Sequence, residues 1–423
     1  MSITTEIKKN SAKAFRRIYL RRRTVADYEA DWTQIPSKYI RNYGNVEYGI
    51  EDIKINFFNF SGYTFKVDNA DGYFSDVDDD RSFFYTAATI PRTMVKVEAG
   101  YEADDGTEYP TNSTLFIGLL GGDVDYNENN IMDFAADPLY KVFEEFNANA
   151  IPSMNGAYTA SEIVTKIRDY QDGNAVSVFQ KYISSGAWNI TTTATDYNMS
   201  TNTTLEDLSC WDLMTKLAEA ENMIVYIDRT GEFYFREKYP ANTTMAFHFS
   251  GIGDTDRTYG HNLMKGISKK KRYSKVYNRV RVKNNKADTT TSWYTKEEDW
   301  DWADSTSSFL YGVQTYEIEN DFIPTATAET IANNIYNQYV NPKEEVRVKS
   351  KFVPHLNLND VVTLTYRTKT IMGGSLWGDF LWGYGFFGTR LGYNINIENE
   401  SFKIIKLKHD IEKFYSQVDM REL

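Results

Sequence analysis

An acidic stretch from Val67 to Asp80 is the strongest candidate for a metal site in this sequence. A calcium-binding EF-hand loop needs an acidic first ligand five residues before its glycine and a glutamate at its twelfth position. With Gly72 as that glycine, the first position is Val67 and the twelfth is Asp78. Because both positions fail, the sequence predicts a solvated turn between strands rather than a calcium site.

Neighbouring carboxylates are a second kind of residue that could do chemistry, since glycosidases use two of them as general acid and base. Two such pairs are Glu144 with Glu145 and Asp79 with Asp80. The chain contains 59 acidic residues, so adjacent carboxylates are expected by chance. A cell-wall hydrolase that uses these acids is therefore an alternative hypothesis and not the leading one.

The histidines do not form a metal or catalytic motif. They stand far apart in the chain, at His248, His261, His355 and His409. This spacing fits neither a zinc motif nor a Ser-His-Asp triad. The sequence also lacks a phosphate-binding P-loop and a dinucleotide glycine fingerprint. We therefore predict no catalytic, metal-binding or cofactor-binding residue, and we predict that the protein is not an enzyme.

The stretch from Leu205 to Glu237 predicts a helix that leads directly into a hairpin. Apolar residues between Leu205 and Ala218 recur near the 3.6-residue period of a helix. Beyond the helix the period changes to two, and the turn from Asp228 to Gly231 leads into three aromatic residues. The stretch contains no arrangement of catalytic groups, so we expect a packing module with Trp211 and Phe233 in its core.

The composition indicates a β-rich protein of several domains. A chain of 423 residues is too long for one ordinary core, so two to four domains are expected. Aromatic residues make up 15% of the chain, including 31 Tyr and 25 Phe, and they favour strands. The single cysteine, Cys210, is expected to be a small core residue. No apolar run is long enough to span a membrane, and the N-terminus lacks the apolar stretch of a signal peptide.

The formal charge of −12 argues against broad nucleic-acid binding, although it is compatible with a local basic patch. Cations are concentrated near the N-terminus, in an arm that we assign to residues 1–44. As a basic helix or extended arm, this segment could dock on an acidic neighbour or nucleic acid; the alternative is a solvated or partly disordered terminus. A transit peptide is disfavoured by the acids of the segment. The candidate partner-binding residues are Arg16, Arg17, Arg21, Arg22 and Arg23.

Short strands separated by turns are predicted from Asn45 to Asn147. They include Ile53–Phe57, Thr64–Val67, Thr93–Val97 and Leu115–Gly118, with a bend at Gly121 and Gly122. This pattern is typical of a compact barrel or sandwich.

Two amphipathic helices are predicted next, over 161–170 and 175–183, with Ser161 as the N-cap of the first. Further along the chain, strands are predicted at 276–282, 345–349, 360–366 and 402–409, and a helix at 326–340.

Aromatic and glycine residues alternate irregularly between Leu376 and Gly388, with neither helix nor strand periodicity. Large apolar side chains on a glycine-rich backbone favour a loop that contacts a partner, through Trp377, Trp382 and Phe387. The alternative is a loop that folds back over its own sheet. Because sugars stack on indole rings, this loop also motivates the hypothesis of a carbohydrate-binding adhesin.

Five stretches together carry a resemblance to a known family. They are the early barrel (53–56, 67–72, 95–101 and 116–118), the helix and hairpin of 205–237, the strand 276–282, the segment from 326 to 362, and the last strand region 402–423. In this order they resemble the central baseplate hub, or tail-tip hub, of tailed bacteriophages and related injection machines. The order of the elements is more specific than any single motif.

The resemblance implies a β-rich α+β fold with two barrel-like β domains and an inserted α+β helix-hairpin module. The implied domains are the basic arm 1–44, a first barrel 45–147, the inserted module 148–272, and a second barrel 273–423 that contains a polar insertion and the aromatic-glycine loop. Family members often carry a C-terminal spike or hydrolase extension, and this chain stops soon after its last predicted strand.

The resemblance also implies a function. A homotrimer with two barrels in each subunit would form a pseudo-sixfold ring that joins a sixfold tail tube to a threefold spike or fibre and lines the DNA channel. The implied partners are a tail tube or distal tail protein, a spike, fibre or tape-measure protein, and DNA in transit. The protein would reside in the virion after assembly in the host cytoplasm. A negatively charged lumen, which lets DNA slide, is a further expectation.

Overall fold

The computed structural model describes residues 13–24, 27–50, 58–75, 77–85, 87–126, 129–151, 156–171, 177–199, 205, 208–237, 244–250, 264–283, 293–297, 307–367 and 395–423. These residues form a β-rich α+β fold of several sheets and few helices, which confirms the predicted fold class. Within the described ranges, every helix is too short or too polar to cross a membrane. The predicted strand Ile53–Phe57 and the aromatic-glycine loop lie outside the described residues.

Residues 13–138 form ten strands. They are β1 (Lys13–Arg23), β2 (Thr33–Gln34), β3 (Ile40–Asn42), β4 (Asn45–Ile50), β5 (Phe58–Phe60), β6 (Tyr63–Asp68), β7 (Thr89–Glu102), β8 (Glu108–Tyr109), β9 (Thr114–Tyr126) and β10 (Ile131–Pro138). Eight of them form the first sheet, in the order β2-β1-β7-β9-β10-β6-β3, with β8 paired to β7. Alternation along β6 and β10 directs every second side chain into the core.

The elements that follow supply the rest of the fold. They are α1 (Lys141–Glu144), β11 (Ala157–Thr159), α2 (Ala160–Arg168), β12 (Trp188–Ile190), β13 (Asp196–Asn198), α3 (Cys210–Ala220), β14 (Met223–Ile227), β15 (Phe233–Glu237), β16 (Thr244–Ser250), β17 (Met264–Lys271), β18 (Arg279–Lys283), β19 (Trp293–Glu297), α4 (Ser307–Tyr311), β20 (Thr315–Glu319), α5 (Thr325–Tyr339), β21 (Glu344–Lys351), β22 (Val361–Arg367), β23 (Asn396–Asp410) and β24 (Tyr415–Glu422).

The second sheet also has eight strands, in the order β16-β22-β23-β24-β21-β17, with β4 paired to β23 and β5 paired to β4. The 15-residue β23 pairs with β22 along its first half and with β4 along its last residues. Asn45–Ile50, the strand that opens the predicted first barrel, therefore contributes to the second sheet. Among the described residues, neither sheet pairs its own edge strands, so each is an open, half-barrel sheet.

The two large sheets share one hydrophobic core. Buried side chains of the first sheet, such as Phe65 and Phe116, belong to the same continuous cluster as Val348 and Leu407 of the second. The Tyr101 hydroxyl of β7 donates a 2.8 Å hydrogen bond to the carbonyl oxygen of Phe352 in the second half. The sheets are thus joined by apolar packing as well as by a polar contact.

The helix-hairpin module has a second, separate core. Its helix α3 begins at the N-cap Ser209, whose side chain accepts a hydrogen bond from the Asp212 amide. Trp211 and Phe233 are buried in the core, as predicted, and so is Cys210. The same cluster contains buried side chains of β18, β20 and α5. The strand at 279–283 and the helix at 325–339, which the predicted boundaries assign to the second barrel, therefore pack with the module.

Several local predictions are wrong. Lys13–Arg23 is a strand of the first sheet rather than a helix or a loose terminus, because Ile18 and Leu20 are buried against the sheet. The bend predicted at Gly121 and Gly122 is not contradicted, because β9 continues past both glycines but its register with β10 shifts there, between Leu120 and Val124. Both glycines fit because a glycine pair permits a bend without requiring one.

The predicted helix at 161–170 exists, but Thr159 is its N-cap. Thr159 and Glu162 form a capping box, in which each side chain bonds the backbone amide of the other residue. This reciprocal arrangement satisfies two amides at once and fixes the start of the helix two residues early.

The second predicted helix, 175–183, is not formed by its described residues 177–183, which make turns. The Val178 amide bonds the Tyr170 carbonyl, so this segment folds back on the end of α2. Asp137 and Pro138 finish strand β10, and the short helix α1 begins after them, at Lys141.

Candidate functional site: the sheet faces and the junction

The paired carboxylates are bound to cations of the same chain. Glu144 lies 2.6 Å from the ammonium group of Lys141, and Glu145 forms an ion pair with Arg92. Asp79 lies 2.8 Å from Arg81, whose guanidinium lowers the pKa of this carboxyl to about 2. Three of the four acids therefore have a cationic partner within the chain, and the lowered pKa of Asp79 is the opposite of the raised pKa that a general acid needs.

The acidic loop after β6 is organised by local side-chain bonds. Asp68 forms an ion pair with Arg41, and Asp71 accepts a 2.7 Å hydrogen bond from the hydroxyl of Tyr39. Phe74 follows them in the sequence and is fully buried in the core of the first sheet, so the loop is anchored there. Within the described ranges, no group of three or more His, Cys, Asp or Glu side chains is placed to hold a metal ion.

The predicted partner-binding arginines lie on β1, where most of them contact the chain itself. Arg17 donates two hydrogen bonds to the carboxylate of Glu108, at 3.0 and 2.5 Å. Arg16 reaches the carbonyl oxygens of Ile411 and Glu412 in the second half of the chain, at 3.2 and 2.8 Å. The strand thus ties the two sheets together.

The remaining candidate arginines, Arg21, Arg22 and Arg23, also make contacts within the chain. Arg22 donates to the carbonyl oxygens of Phe83 and Tyr85 and pairs with Glu29, while Arg21 donates to the Glu29 carbonyl oxygen. Arg23 ends the strand and pairs through its backbone with Thr89 and Tyr28. The other candidates, Trp377, Trp382 and Phe387, lie outside the described residues. A role in partner binding stays a prediction for all eight residues.

The junction between the module and the second sheet is built around Arg229, which the sequence reading passed over as a turn residue. The turn is held by the Asp228 carboxylate, which accepts hydrogen bonds from the Thr230 and Glu232 amides, both at 2.9 Å. Gly231 has a φ of 84°, a conformation that favours glycine. This turn directs Arg229 into the second sheet, where its side chain is 8% exposed and donates to the Pro354 carbonyl oxygen.

A buried polar network in the second sheet lies close to Arg229. His409 is fully buried and is hydrogen-bonded through Nε2 to the Tyr48 hydroxyl at 2.9 Å and through Nδ1 to Ser416 Oγ at 2.8 Å. Ser416 Oγ also accepts a 3.0 Å bond from the Val353 amide. The network connects three strands of the sheet, β4, β23 and β24, with the segment that follows β21.

Burial sets the charge state of this junction. Burial first, and the nearby positive charge of Arg229 second, lower the pKa of His409 to about 3 and that of His355 to about 4. Burial also raises the pKa of Asp360 to about 6, against the opposing effects of a backbone hydrogen bond and of Arg229. Both histidines are therefore neutral near pH 7, and Arg229 is accommodated without a cationic histidine beside it.

A further charged surface is the open face of the sheet formed by β18, β19 and β20. A cleft of about 520 Å³ lies over this face and is lined by charged and hydroxyl side chains. Arg279 pairs with Glu297 at 2.6 Å and Arg281 with Glu317 at 2.7 Å. Binding pockets for small molecules are mostly apolar with a few polar groups, so this balanced ladder of ion pairs does not have their character.

The β14 strand shows how tightly the module is enclosed. A period of two predicts one buried and one exposed side, yet all five residues from Met223 to Ile227 are buried. Val225 packs in the module core, while Ile224 and Tyr226 pack with Ile50 and Leu358 on the opposite side. Strand β14 thus packs against the module core on one face and against Ile50 and Leu358 on the other.

Comparison with known proteins yields similar folds and no sequence match. No family model matches the chain, and no curated protein matches it either. A prophage tail protein, gp18 from Listeria monocytogenes, has a TM-score of 0.50 at 9% identity, over 96% of this chain and 94% of that one. The chain therefore shares a fold with a phage tail protein.

Two further solved structures are similar to a slightly lower degree. A 43 kDa tail protein of prophage MuSo2 from Shewanella oneidensis has a TM-score of 0.49 at 9% identity, covering 96% of this chain and 98% of that one. A tail protein from Neisseria meningitidis has a TM-score of 0.48 at 7% identity, covering 96% of both chains.

Proposed function

We propose that this protein is a structural component of a phage tail, the central baseplate or tail-tip hub. The observation that carries the proposal is the fold shared with the Listeria prophage tail protein over 96% of this chain. The ion-paired carboxylates support a role without catalysis, because Glu144, Glu145 and Asp79 are each held by a cation of the same chain and the pKa of Asp79 is lowered, whereas a general acid needs a raised one.

The two eight-stranded sheets support the hub role in particular. Each subunit contributes two open sheets of the same strand number, joined through one core. Three subunits in a closed ring would present six such sheets, which matches the symmetry of a sixfold tail tube while keeping a threefold axis for a spike or fibre. We propose a homotrimer on this ground, with large subunit faces supplying the binding energy.

The domain boundaries follow from the same proposal. Residues 45–147 and 273–423 would form the two hub barrels, completed by neighbouring subunits, with 148–272 as the inserted module and 1–44 as the N-terminal segment. The strand Asn45–Ile50 and the layer of β18, β20 and α5 would then be exchanged elements that lock the parts together.

The proposed partners lie on the two sides of the ring. A tail tube or distal tail protein would bind above it, a spike, fibre or tape-measure protein below it, and DNA would pass through it. The protein would be found in the virion after assembly in the host cytoplasm. The aromatic-glycine loop and the arginines of β1 remain candidate contacts for these partners.

The copy number of the chain in the particle tests the hub proposal. We expect native mass spectrometry of the purified chain, or quantitative proteomics of intact particles, to give three copies in each particle. A chain that is strictly monomeric in the assembled particle would overturn the proposal.

Two activity assays address the alternative functions. Clearing of a peptidoglycan zymogram that disappears when Glu144 and Glu145 are replaced by Gln would favour a cell-wall hydrolase. Loss of host-surface binding after deletion of residues 376–388 would favour a carbohydrate-binding adhesin. The hub proposal expects no clearing in the first assay.

A further inference from the structure

The outer face of the second sheet carries far more cations than carboxylates. Strand register places the outward side chains of β17, β21, β24, β23 and β4 side by side. The cations are Lys270, Arg272, Arg347, Lys349, Lys351, Lys403, Lys406, Lys408 and Arg421. The carboxylates are Glu47, Glu345, Asp410 and Asp419. In a chain of net charge −12, this excess is local and not a property of the composition.

One end of this face is covered. Arg421 lies beneath the ring of Tyr339 at the end of α5, 5.7 Å from its centroid. Glu345 is 9% exposed at its side chain and pairs with Arg272 at 2.5 Å and with Arg421 at 3.5 Å. The side chains of Arg421 and Glu345 are only 18% and 9% exposed, so burial, and not ion pairing alone, keeps this end from an outside ligand.

The open end contains five cations that we call the basic patch: Arg347, Lys349, Lys351, Lys406 and Lys408. Across the strands, Lys349 lies beside Gly266 on one side and Gln417 on the other, and Gln417 lies beside Lys408. Among the described residues, no heavy atom lies within 4 Å of the space that a Cβ atom at Gly266 would fill. The patch is therefore accessible from the edge of the sheet as well as from above.

The carboxylates beside the basic patch are less exposed to solvent than its cations. The side chain of Arg347 is 53% exposed and that of its partner Asp419 only 15%. Glu47 is shared by Lys406 at 2.5 Å and Lys408 at 3.2 Å. Asp410 is 5% exposed and accepts a hydrogen bond from the Lys413 amide. A ligand that approaches the patch therefore meets ammonium and guanidinium groups first.

The residue types identify the class of ligand. Protein interfaces are depleted in lysine and enriched in aromatic side chains at their centres, whereas the centre of this patch is lysine and glutamine. Single-stranded nucleic acid is bound with stacking aromatics, which the outward rows through Arg347 and Lys349 lack. Tyr415, which lies opposite Lys351, is an aromatic residue of the third outward row, and a single ring does not provide a series of stacking sites. Lysines on such a flat face fit the phosphates of a duplex backbone.

We propose that the basic patch contacts the phosphate backbone of double-stranded DNA without regard to sequence. The proposal rests on the proposed function in one respect, that DNA passes this protein. Five cations neutralise at most about five phosphates, so the expected dissociation constant is in the non-specific range of about 10⁻⁴ to 10⁻⁶ M at physiological salt. Contacts of this strength hold DNA briefly and release it, which suits a duplex in transit.

Binding of a labelled random-sequence DNA duplex to the full-length protein tests the proposal. Fluorescence anisotropy as a function of salt should give a slope of log K against log salt of up to about −4.5, because each phosphate contact contributes about −0.9. The double variant K349E/K408E should weaken binding by at least about tenfold at low salt and make the slope shallower by about 2. Lys406 remains on Glu47 in this variant, so the fold is expected to persist.

A matched control uses cations of the first sheet. Arg41 pairs with Asp68, and Lys66 pairs with Asp133 at 2.7 Å. The variant R41E/K66E changes the net charge by the same amount, and it should alter DNA affinity by less than about twofold beyond the general charge effect. Circular dichroism melting of both variants identifies any loss of folding.

Three outcomes would overturn the proposal. The first is the absence of DNA binding at low salt by folded wild-type protein, and the second is equal weakening in the two double variants. The third is a slope of log K against log salt close to zero for the wild-type protein, which would show that binding does not neutralise phosphates. The copy number of the chain in the particle is independent of all three, so failure here leaves the hub proposal standing.

Discussion

The two eight-stranded sheets share one core, but the pairing of cations with carboxylates differs between their outer faces. On the outer face of the first sheet, each of five cations has its own carboxylate: Lys13 with Glu102, Arg17 with Glu108, Arg41 with Asp68, Lys66 with Asp133 and Lys96 with Glu98. On the second sheet, Glu47 serves two lysines and Glu345 serves several cations. A balanced face needs no partner, whereas a face with excess charge is stabilised by one.

The interiors of the sheets differ as well. The first sheet is filled by aromatic packing, such as the contact of Phe65 with Phe134 at 5.2 Å between ring centroids. The second sheet buries the polar network of His409 and receives Arg229 from the module. Apolar packing contains no group that titrates, whereas the stability of a buried polar network depends on all of its hydrogen-bond partners. The second sheet is therefore the part whose stability is linked to the rest of the chain.

Replacement of Arg229 should give the largest difference in stability between the two sheets. The variant R229A removes a buried donor to the Pro354 carbonyl oxygen and leaves a cavity, so the free energy of unfolding should fall by about 2 to 4 kcal/mol. Hydrogen exchange should show lost protection near 352–361 and in β23, with the first sheet unchanged. Arg81, whose side chain is 70% exposed, gives the control variant R81A, with an effect below about 0.5 kcal/mol. Equal loss of protection in both sheets would contradict this distinction.

Acid should also weaken the second sheet selectively. The pKa of His355 is lowered from 6.5 to about 4, so its contribution to stability is complete above pH 6.5 and is lost as the pH falls towards 4. From pH 7 to pH 5, the free energy of unfolding of the wild type relative to H355Q should fall by about 2 kcal/mol. Urea titrations of the wild type and H355Q at pH 7, 6 and 5 measure this difference in unfolding free energy.

Asp360 acts in the opposite direction. Its pKa is raised to about 6, so its contribution to stability is present at low pH and is lost as the pH rises through 6. Both proteins contain Asp360, and the comparison with H355Q therefore isolates the histidine. A stability difference that does not change between pH 7 and pH 5 would show that His355 is not held neutral by burial.

Reversal of one lysine on each outer face gives the smallest effect. K66E breaks an ion pair and places a glutamate beside Asp133, which should cost about 0.5 to 1 kcal/mol of unfolding free energy. K349E places a carboxylate between Arg347 and Lys351 and should be neutral or stabilising by up to about 0.5 kcal/mol. Equilibrium unfolding at low salt distinguishes the two signs, and high salt should remove both effects. Effects of the same sign would show that the two faces do not differ in charge balance.

Local sequence patterns predicted many elements correctly. The helix at 210–220, the hairpin that follows it and the burial of Trp211 and Phe233 are all visible in hydrophobic periodicity. The helix at 325–339 and strands such as β6 and β23 were predictable for the same reason. Elements whose own residues decide their conformation could be identified from the chain alone.

The predictions failed where distant residues decide the outcome. Lys13–Arg23 has the composition of a solvated arm, but its cations meet carboxylates and carbonyl groups from far along the chain. Arg229 lies in a turn motif that is usually exposed, and only its position against the second sheet buries it. The basic patch has no local signal either, because its five cations come from β21 and β23, two strands with more than forty residues between them.

The sequence by itself determined the strand-rich character, the module and its core, since these depend on alternation and period within short windows. It also determined the absence of recognisable metal, nucleotide and triad motifs. Only the tertiary structure decided which charges are neutralised, which face has an excess and which turn residue is buried. Those outcomes depend on the register of strands that are distant in the chain, and a shift of one residue would exchange the inner and outer faces.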